Sequence, residues 1–197
     1  LQNNKIASRT ARRTGGAVYS SRGVINMTAG VIQNNTAMSG GGIMLCNNAK
    51  LDMSGGTIQN NQAISGPTPW NDAAAGGGVC LSDGATFNLS GTALIQNNSS
   101  EEVGGGISVG TIEVSFGHNK LNMSGGVVDG NTANATGGGI FIQGPYGGRD
   151  SVGKITAGSI TNNEMLGKGQ TNFAFGGGGI YVNGFDYPGF GNGQLFL

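Results

Sequence analysis

Apolar and polar residues alternate along this chain in short runs, which are separated by pairs of glycine or asparagine. In the shortest repeat the runs are Gly42-Ile43-Met44-Leu45, Leu51-Asp52-Met53 and Thr57-Ile58-Gln59. A period of two is typical of a strand that buries one face. Gly55-Gly56 and Asn60-Asn61 interrupt the runs with residues that tolerate a positive φ. The pattern therefore predicts three short strands joined by tight turns.

Two motifs recur six times along the chain. The first is a tetrapeptide that ends in asparagine, at Leu1–Asn4, Ile32–Asn35, Ile58–Asn61, Ile95–Asn98, Val128–Asn131 and Ile160–Asn163. The second is a glycine cluster before a β-branched residue, at Gly15–Val18, Gly40–Ile43, Gly76–Val79, Gly104–Ile107, Gly137–Ile140 and Gly177–Ile180. Repeats of this length predict a solenoid. We expect an all-β, right-handed parallel β-helix with three short strands per coil and about six coils.

Stacking of the repeats predicts which side chains meet. The first strand points Ile43 and Leu45 inward, the second Leu51 and Met53, and the third Ile58, with equivalent residues in the other repeats. The last residue of each tetrapeptide should form a hydrogen-bonded structural ladder of asparagines. Its members are Asn4, Asn35, Asn61, Asn98, Asn131 and Asn163. Residues 1–197 then form one solenoid domain, which we interpret as a fragment of a longer protein.

Composition narrows the classes of function. Charged residues make up 10% of the chain and the formal net charge is zero, which argues against a nucleic-acid surface. No apolar run is long enough to span a membrane in this segment. Cys46 and Cys80 lie two strand positions apart in adjacent repeats, about 8 Å, which is too far for a disulfide. We therefore expect two free thiols.

Candidate chemistry is sparse. The single histidine, His118, has no partner motif for a metal site or a triad and is expected to be a solvent-exposed loop residue. The outward column of the second strand reads Asn26, Asp52, Asn88, Asn122, Lys154, and that of the third reads Gln33, Gln59, Gln96, Asp129, Thr161. Neither column stacks two carboxylates, as acid–base chemistry on a polysaccharide or Ca²⁺ binding would require. We expect no catalytic residue, no metal and no cofactor, although an enzymatic role stays open.

Candidate binding residues lie where the repeats deviate from one another. The insertion at 62–75 carries Trp70 and Asp72, the insertion at 143–154 carries Tyr146, and the C-terminal tail adds further aromatic residues. On the first strand the outward column includes Phe141 and Tyr181. These rings could stack on sugars, or loops could cover them.

The alternation of the two motifs resembles the repeats of chlamydial polymorphic outer-membrane proteins. Those repeats read Gly-Gly-Ala-(Ile/Leu/Val) and Phe-x-x-Asn, and Gly15-Gly16-Ala17-Val18 matches the first in full. The other copies have Gly in place of Ala, and Leu, Ile or Val in place of Phe. The chain is also similar to adhesin-like proteins with pectin-lyase-like β-helices. This resemblance implies a secreted or cell-surface passenger that displays a binding surface.

These observations favour a non-catalytic extracellular or cell-surface adhesin or structural stalk, with a host or environmental glycan or a surface protein as partner. A polysaccharide-active lyase-like or glycosidase-like domain is one alternative. A self-assembling rod or filament subunit is another, because open strand edges can pair with another copy.

The filament alternative predicts end-to-end self-association. Sedimentation velocity at rising protein concentration should then show a growing population of dimers and longer species. A sedimentation coefficient that stays at the monomer value over the whole range would exclude this alternative.

Overall fold

The computed structural model describes residues 1–6, 14–66, 74–111, 117–144, 150–168, 176–184 and 192–197. All regular structure in this part of the chain is β, so no described helix could cross a membrane. The strands are β1 Val18–Ser21, β2 Val24–Met27, β3 Val31–Gln33, β4 Thr36–Ala37, β5 Ile43–Cys46, β6 Lys50–Met53, β7 Thr57–Gln59, β8 Gln62–Ala63, β9 Val79–Leu81, β10 Thr86–Leu89, β11 Leu94–Gln96, β12 Ser99–Ser100, β13 Ile107–Val109, β14 Lys120–Asp129, β15 Thr132–Ala133, β16 Ile140–Gln143, β17 Ser151–Thr161, β18 Glu164–Met165, β19 Ile180–Asn183 and β20 Gly193–Phe196.

The strands form three sheets, and every strand pair in them is parallel. The first sheet has the order β1-β5-β9-β13-β16-β19. The long sheet contains β2-β6-β10-β14-β11-β7-β3, with β17 beside β14 and β20 beside β17. The short sheet has the order β18-β15-β12-β8-β4. In the first and short sheets, neighbouring strands come from successive sequence repeats, which is consistent with a parallel β-helix.

The division of each repeat into strands differs from the prediction. The second and third predicted strands do not form separate sheets, because β14 and β17 each run without a break through both positions. A further two-residue strand follows the asparagine motif in five repeats, as at Gln62–Ala63. A strand of two residues is too short to show an alternating pattern in the sequence. Gln62–Ala63 was predicted to belong to the insertion at 62–75. A described repeat such as residues 43–63 therefore contributes four strands rather than three.

The predicted inward columns form the main hydrophobic core. It consists of stacked aliphatic residues with Phe87, and most of them are fully buried, among them Ile43, Leu45, Leu51, Met53, Ile58, Val79, Leu81, Phe87, Leu89, Ile95, Ile107, Val109, Leu121, Met123, Val128, Ile140 and Ile142. Each lies opposite its counterpart in the next repeat, as Ile43 does with Val79 and Leu51 with Phe87. The predicted inward residues Val18, Ile25, Ile155, Ile160 and Ile180 are only partly buried. Val182 is 37% exposed in β19, the edge strand of the first sheet.

The six predicted ladder asparagines are joined by side-chain hydrogen bonds through the whole stack. The Nδ2 of each residue donates to the Oδ1 of the next, over distances of 2.8 to 3.0 Å. Each Oδ1 also accepts the backbone N–H of the preceding ladder asparagine. Asn61, for example, also donates from Nδ2 to the carbonyl of Ile32, at 3.0 Å. Since Asn35, Asn61, Asn98 and Asn131 are buried, these bonds satisfy polar groups that water cannot reach.

The residue before each ladder asparagine has a left-handed backbone. The φ values are 60° at Asn3, 57° at Asn34, 54° at Asn60, 53° at Asn97, 61° at Gly130 and 51° at Asn162. Asparagine and glycine are the residues that adopt this conformation most readily. This requirement explains both the Asn-Asn pairs and the single replacement by Gly130.

The glycine clusters require glycine for two reasons. At the first position of a cluster, Gly76 has a φ of +68°, a left-handed conformation that favours glycine. At the third position, a Cβ on Gly78 would lie 2.7 Å from the carbonyl oxygen of Gly106 and 3.1 Å from Nδ2 of Asn98. A side chain there would therefore separate the stacked repeats, which accounts for glycine beside the asparagine column.

Replacing Asn61 by Ala tests the contribution of the ladder. The change leaves the Asn35 amide groups and the Ile32 carbonyl without their partner, so we expect a loss of about 1–3 kcal/mol in the free energy of unfolding. The control is Gln62→Ala, at the next residue along the chain, whose side chain is exposed. This change should alter stability by less than about 0.5 kcal/mol. Urea unfolding of both variants measures the difference. Equal stability of the two variants would contradict a structural role for the ladder.

Candidate binding face

The outer surface of the long sheet carries two columns of polar side chains, which we call the amide face. Its central residues are Gln33, Gln59, Gln96, Asn88 and Asn122. Gln33, Gln59 and Gln96 are half-buried, and they alternate with core residues such as Ile58. Because strands pair in parallel register, chemically equivalent side chains recur about every 4.8 Å across the sheet.

The glutamine column is ordered by hydrogen bonds. The Nε2 of Gln33 donates to Oε1 of Gln2, that of Gln59 to Gln33, and that of Gln96 to Gln59, at 2.7 to 2.8 Å. Asp129 takes the next position and accepts hydrogen bonds from Oγ1 of Thr161 and Nδ2 of Asn162 at 2.7 and 2.8 Å. The amide ladder therefore ends at Gln96, and Asp129 is bonded instead to the repeat that follows it.

The asparagine column has the same organisation. The Nδ2 of Asn88 donates to Oδ1 of Asp52 at 2.6 Å, and the Nδ2 of Asn122 donates to Oδ1 of Asn88 at 2.7 Å. Nζ of Lys50 lies 2.8 Å from Oδ2 of Asp52. The hydrogen bond from Lys50, followed by that from Asn88, lowers the pKa of the Asp52 carboxyl group. Asp52 is therefore held ionised and fixed between two donors.

These ladders leave a defined set of polar groups for a ligand. An amide has two N–H donors and two acceptor lone pairs. Within its column, Gln59 uses one N–H toward Gln33 and one lone pair toward Gln96. One donor and one acceptor per residue therefore stay available at regular spacing. Such an array suits a flat, repetitive partner that presents hydroxyl or amide groups.

Two of the residues that the sequence singled out for binding, Phe141 and Tyr181, lie on the first sheet and not on this face. Trp70, Asp72 and Tyr146 lie outside the described residues. The ring of Phe141 is fully buried and stacks on the half-buried Tyr181, with 6.0 Å between the ring centroids and 2° between the ring planes. Phe141 is therefore a packing residue in this structure rather than an exposed sugar platform.

Phe141 belongs to a second hydrophobic cluster on the outer side of the first sheet. The other buried members are Met44, Cys46, Ala75, Cys80, Val103 and Ala135. Ala75, Val103 and Ala135 come from the segments just before the glycine clusters, and Ala75 and Val103 form parallel bridges there. Ala75 and Val103, directly before two of the glycine clusters, were the available sequence signal for this cover. The sequence left open whether the outward side chains of the first strand are exposed or covered. From Met44 to Phe141 they are covered.

The cysteines, the histidine and Glu101 were the other candidates for chemistry. Cys46 and Cys80 are not joined by a disulfide, as expected, and both are buried. His118 is exposed, and its Nδ1 donates to the carbonyl of Asp150 at 3.0 Å. Oε2 of Glu101 accepts the backbone N–H of Ser65 at 2.7 Å. In the part of the chain that the structure describes, no three His, Cys, Asp or Glu residues are grouped to hold a metal ion.

Comparison of the chain with protein-family models, with curated proteins and with solved structures found no match. The similarity to chlamydial repeats thus stays a similarity of motifs. The geometry of the amide face is the feature of this chain that bears on function.

The lowered pKa of Asp52 predicts a dependence of stability on pH. A carboxyl group whose pKa is lowered by folding stabilises the folded state above its ordinary value of 3.8, and this contribution disappears as the pH falls through the lowered value. Asp52→Asn keeps the shape but cannot titrate. We expect the wild type to exceed this variant by at most about 1 kcal/mol at neutral pH, since the ion pair is exposed.

Urea unfolding of both proteins between pH 7 and pH 2 measures this difference. The advantage of the wild type should shrink below the ordinary carboxyl pKa and vanish at the acidic end. A difference that stays constant over this range would show that the charge of Asp52 contributes nothing.

Proposed function

We propose that the chain is a non-catalytic stalk and glycan-binding module of a secreted or cell-surface protein. In this proposal the repeats form a right-handed parallel β-helix of about six coils. The parallel pairing of successive repeats supports the β-helix, and the strong preference of parallel crossovers for one hand supports the right-handed form.

The observation that carries the proposal is the pre-ordered amide face. Free glutamine side chains lose considerable rotamer entropy when they bind a ligand. Here the hydrogen bonds between Gln33, Gln59 and Gln96 already hold the amides in place, so less entropy is lost on binding. A polysaccharide is the partner that best matches a flat array of equally spaced donors and acceptors.

The stalk role follows from the interior of the same stack. The asparagine ladder runs without interruption from Asn4 to Asn163, parallel to a continuous apolar core. Each repeat is thereby tied to its neighbours by buried hydrogen bonds as well as by strand pairing. A rod of this kind would keep its binding face straight at a distance from an attachment point.

A glycan array with labelled protein tests the binding role. We expect the wild type to bind a subset of polysaccharides and the double variant Gln59→Ala/Gln96→Ala to bind them at least about fivefold more weakly. Loss of two hydrogen-bonding side chains, at about 0.5–1.5 kcal/mol each, accounts for this factor. The control is Gln62→Ala, an exposed glutamine of the short sheet, which should bind as the wild type does.

The thermal unfolding of all three proteins must be compared, so that weaker binding is not caused by unfolding. Wild-type affinity in the double variant would contradict the role of the amide face. Shortened oligosaccharide products after incubation would instead support the polysaccharide-active alternative.

A further inference from the structure

The amide face ends in a groove of about 360 Å³. Its lining residues are Lys120, Asn122, Val152, Lys154 and Phe196, and we call it the lysine groove. These residues come from the neighbouring strands β14, β17 and β20. The groove therefore continues the asparagine column, in which Asn122 is followed by Lys154 and then by Phe196.

The groove carries two positive charges that no described residue neutralises. Lys120 lies opposite Val152, and Asn122 lies opposite Lys154, so the two lysines are diagonal neighbours with Cα atoms about 8 Å apart. Both are exposed, and neither forms an ion pair with a described residue. An anionic group placed between them could contact both ammonium groups.

A comparison of equivalent strands shows why these charges are available. Strands β6 and β14 place Lys50 and Lys120 at the same register position, with Asp52 and Asn122 also equivalent. Lys50 is paired with Asp52 at 2.8 Å. At Lys120 the carboxylate is replaced by the amide of Asn122, so the partner that neutralises Lys50 is missing.

The one described carboxylate at the start of β17 has other partners. Oδ1 of Asp150 accepts the backbone N–H of Asn192 at 2.8 Å, and its Oδ2 accepts Nε2 of Gln194. Asp150 thus anchors β20 against β17. It fixes the strand that carries Phe196 and does not pair with Lys120 or Lys154.

The remaining walls supply apolar and hydrogen-bonding contacts. Phe196 is 54% exposed, although burial of an aromatic ring is strongly favourable. Asn122 donates from Nδ2 to Asn88, and its Oδ1 accepts from no described residue. The groove therefore combines an exposed ring, an unused amide acceptor and two ammonium groups within one short stretch of the face.

We propose that the lysine groove binds an acidic sugar residue of the polysaccharide on the amide face. Its carboxylate or sulfate lies between Lys120 and Lys154, its hydroxyl groups meet Asn122, and its apolar ring face packs on Phe196. This inference rests on the proposed function, because the rest of the glycan lies on the amide face, which the groove adjoins at Asn122. It adds a preference for anionic over neutral glycans.

Calorimetric titration with three probes tests the preference: a heparin oligosaccharide for sulfate, a hyaluronan oligosaccharide for carboxylate and a cello-oligosaccharide as the neutral probe. We expect at least one anionic probe to bind at least about tenfold more tightly than the neutral probe. The advantage should fall between about 0.1 M and 0.5 M NaCl, since exposed charges are screened by salt. Which anionic probe binds distinguishes sulfate from carboxylate recognition.

The variants locate the site. Lys120→Gln/Lys154→Gln should remove the anionic preference and leave binding of the neutral probe unchanged. Lys5→Gln/Lys168→Gln, which removes two exposed charges outside the groove, should bind all probes as the wild type does. Phe196→Ala should weaken anionic binding by about threefold to tenfold while the dependence on salt stays the same.

The outcomes separate this inference from the proposed function. Equal binding of neutral and anionic probes, lost in Gln59→Ala/Gln96→Ala, would overturn the lysine groove and leave the amide face intact. Anionic binding lost in Lys120→Gln/Lys154→Gln but unchanged in Gln59→Ala/Gln96→Ala would support the groove and overturn the amide face. Equal loss in Lys5→Gln/Lys168→Gln and Lys120→Gln/Lys154→Gln would show non-specific charge attraction and overturn the groove.

Discussion

The buried asparagine ladder is the interaction on which the rest of this structure depends. The chain turns at the end of the third predicted strand, and the ladder asparagines at this turn are buried. The backbone groups beside them, such as the N–H of Asn35 and the carbonyl of Ile32, bond to the ladder instead of to water. Each interior ladder amide accepts two hydrogen bonds and donates two, as Asn61 does with Asn35, Asn98 and Ile32. A shift of one residue would break this pattern and turn the apolar columns outward. The ladder therefore holds the repeats in one register.

Register has consequences on both sides of the chain. Inside, it places the glycine clusters against the ladder, where a Cβ on Gly78 would collide with the next repeat. It also requires a left-handed residue before each ladder asparagine, a position filled by asparagine five times and by Gly130 once. Outside, it brings equivalent side chains of successive repeats beside one another. The amide face is thus a by-product of the order that the interior imposes.

Differences between repeats then carry the chemical variety of the face. Where all copies are amides, the columns form neutral ladders such as Gln33, Gln59 and Gln96. A single change at Asp52 adds a carboxylate that pairs with Lys50. The reverse change at Asn122 leaves Lys120 without such a partner. The regular scaffold therefore turns single substitutions into local sites without altering the backbone.

The sequence by itself determined the features that repeat with the chain: the inward columns, the asparagine ladder, the two outward polar columns and the separation of Cys46 from Cys80. Each follows from local alternation and from the spacing of similar motifs. In a stack of strands, the position of a residue within its repeat decides which side of the sheet it faces and which residues it lies beside.

Only the tertiary structure decided the contacts between segments of unlike sequence. Two-residue strands such as Gln62–Ala63 exist because neighbouring repeats pair with them. Phe141 is buried because residues preceding the glycine clusters cover its sheet. Phe196 meets Lys120 and Lys154 because β20 pairs with β17, a non-local contact that no periodicity in the sequence encodes.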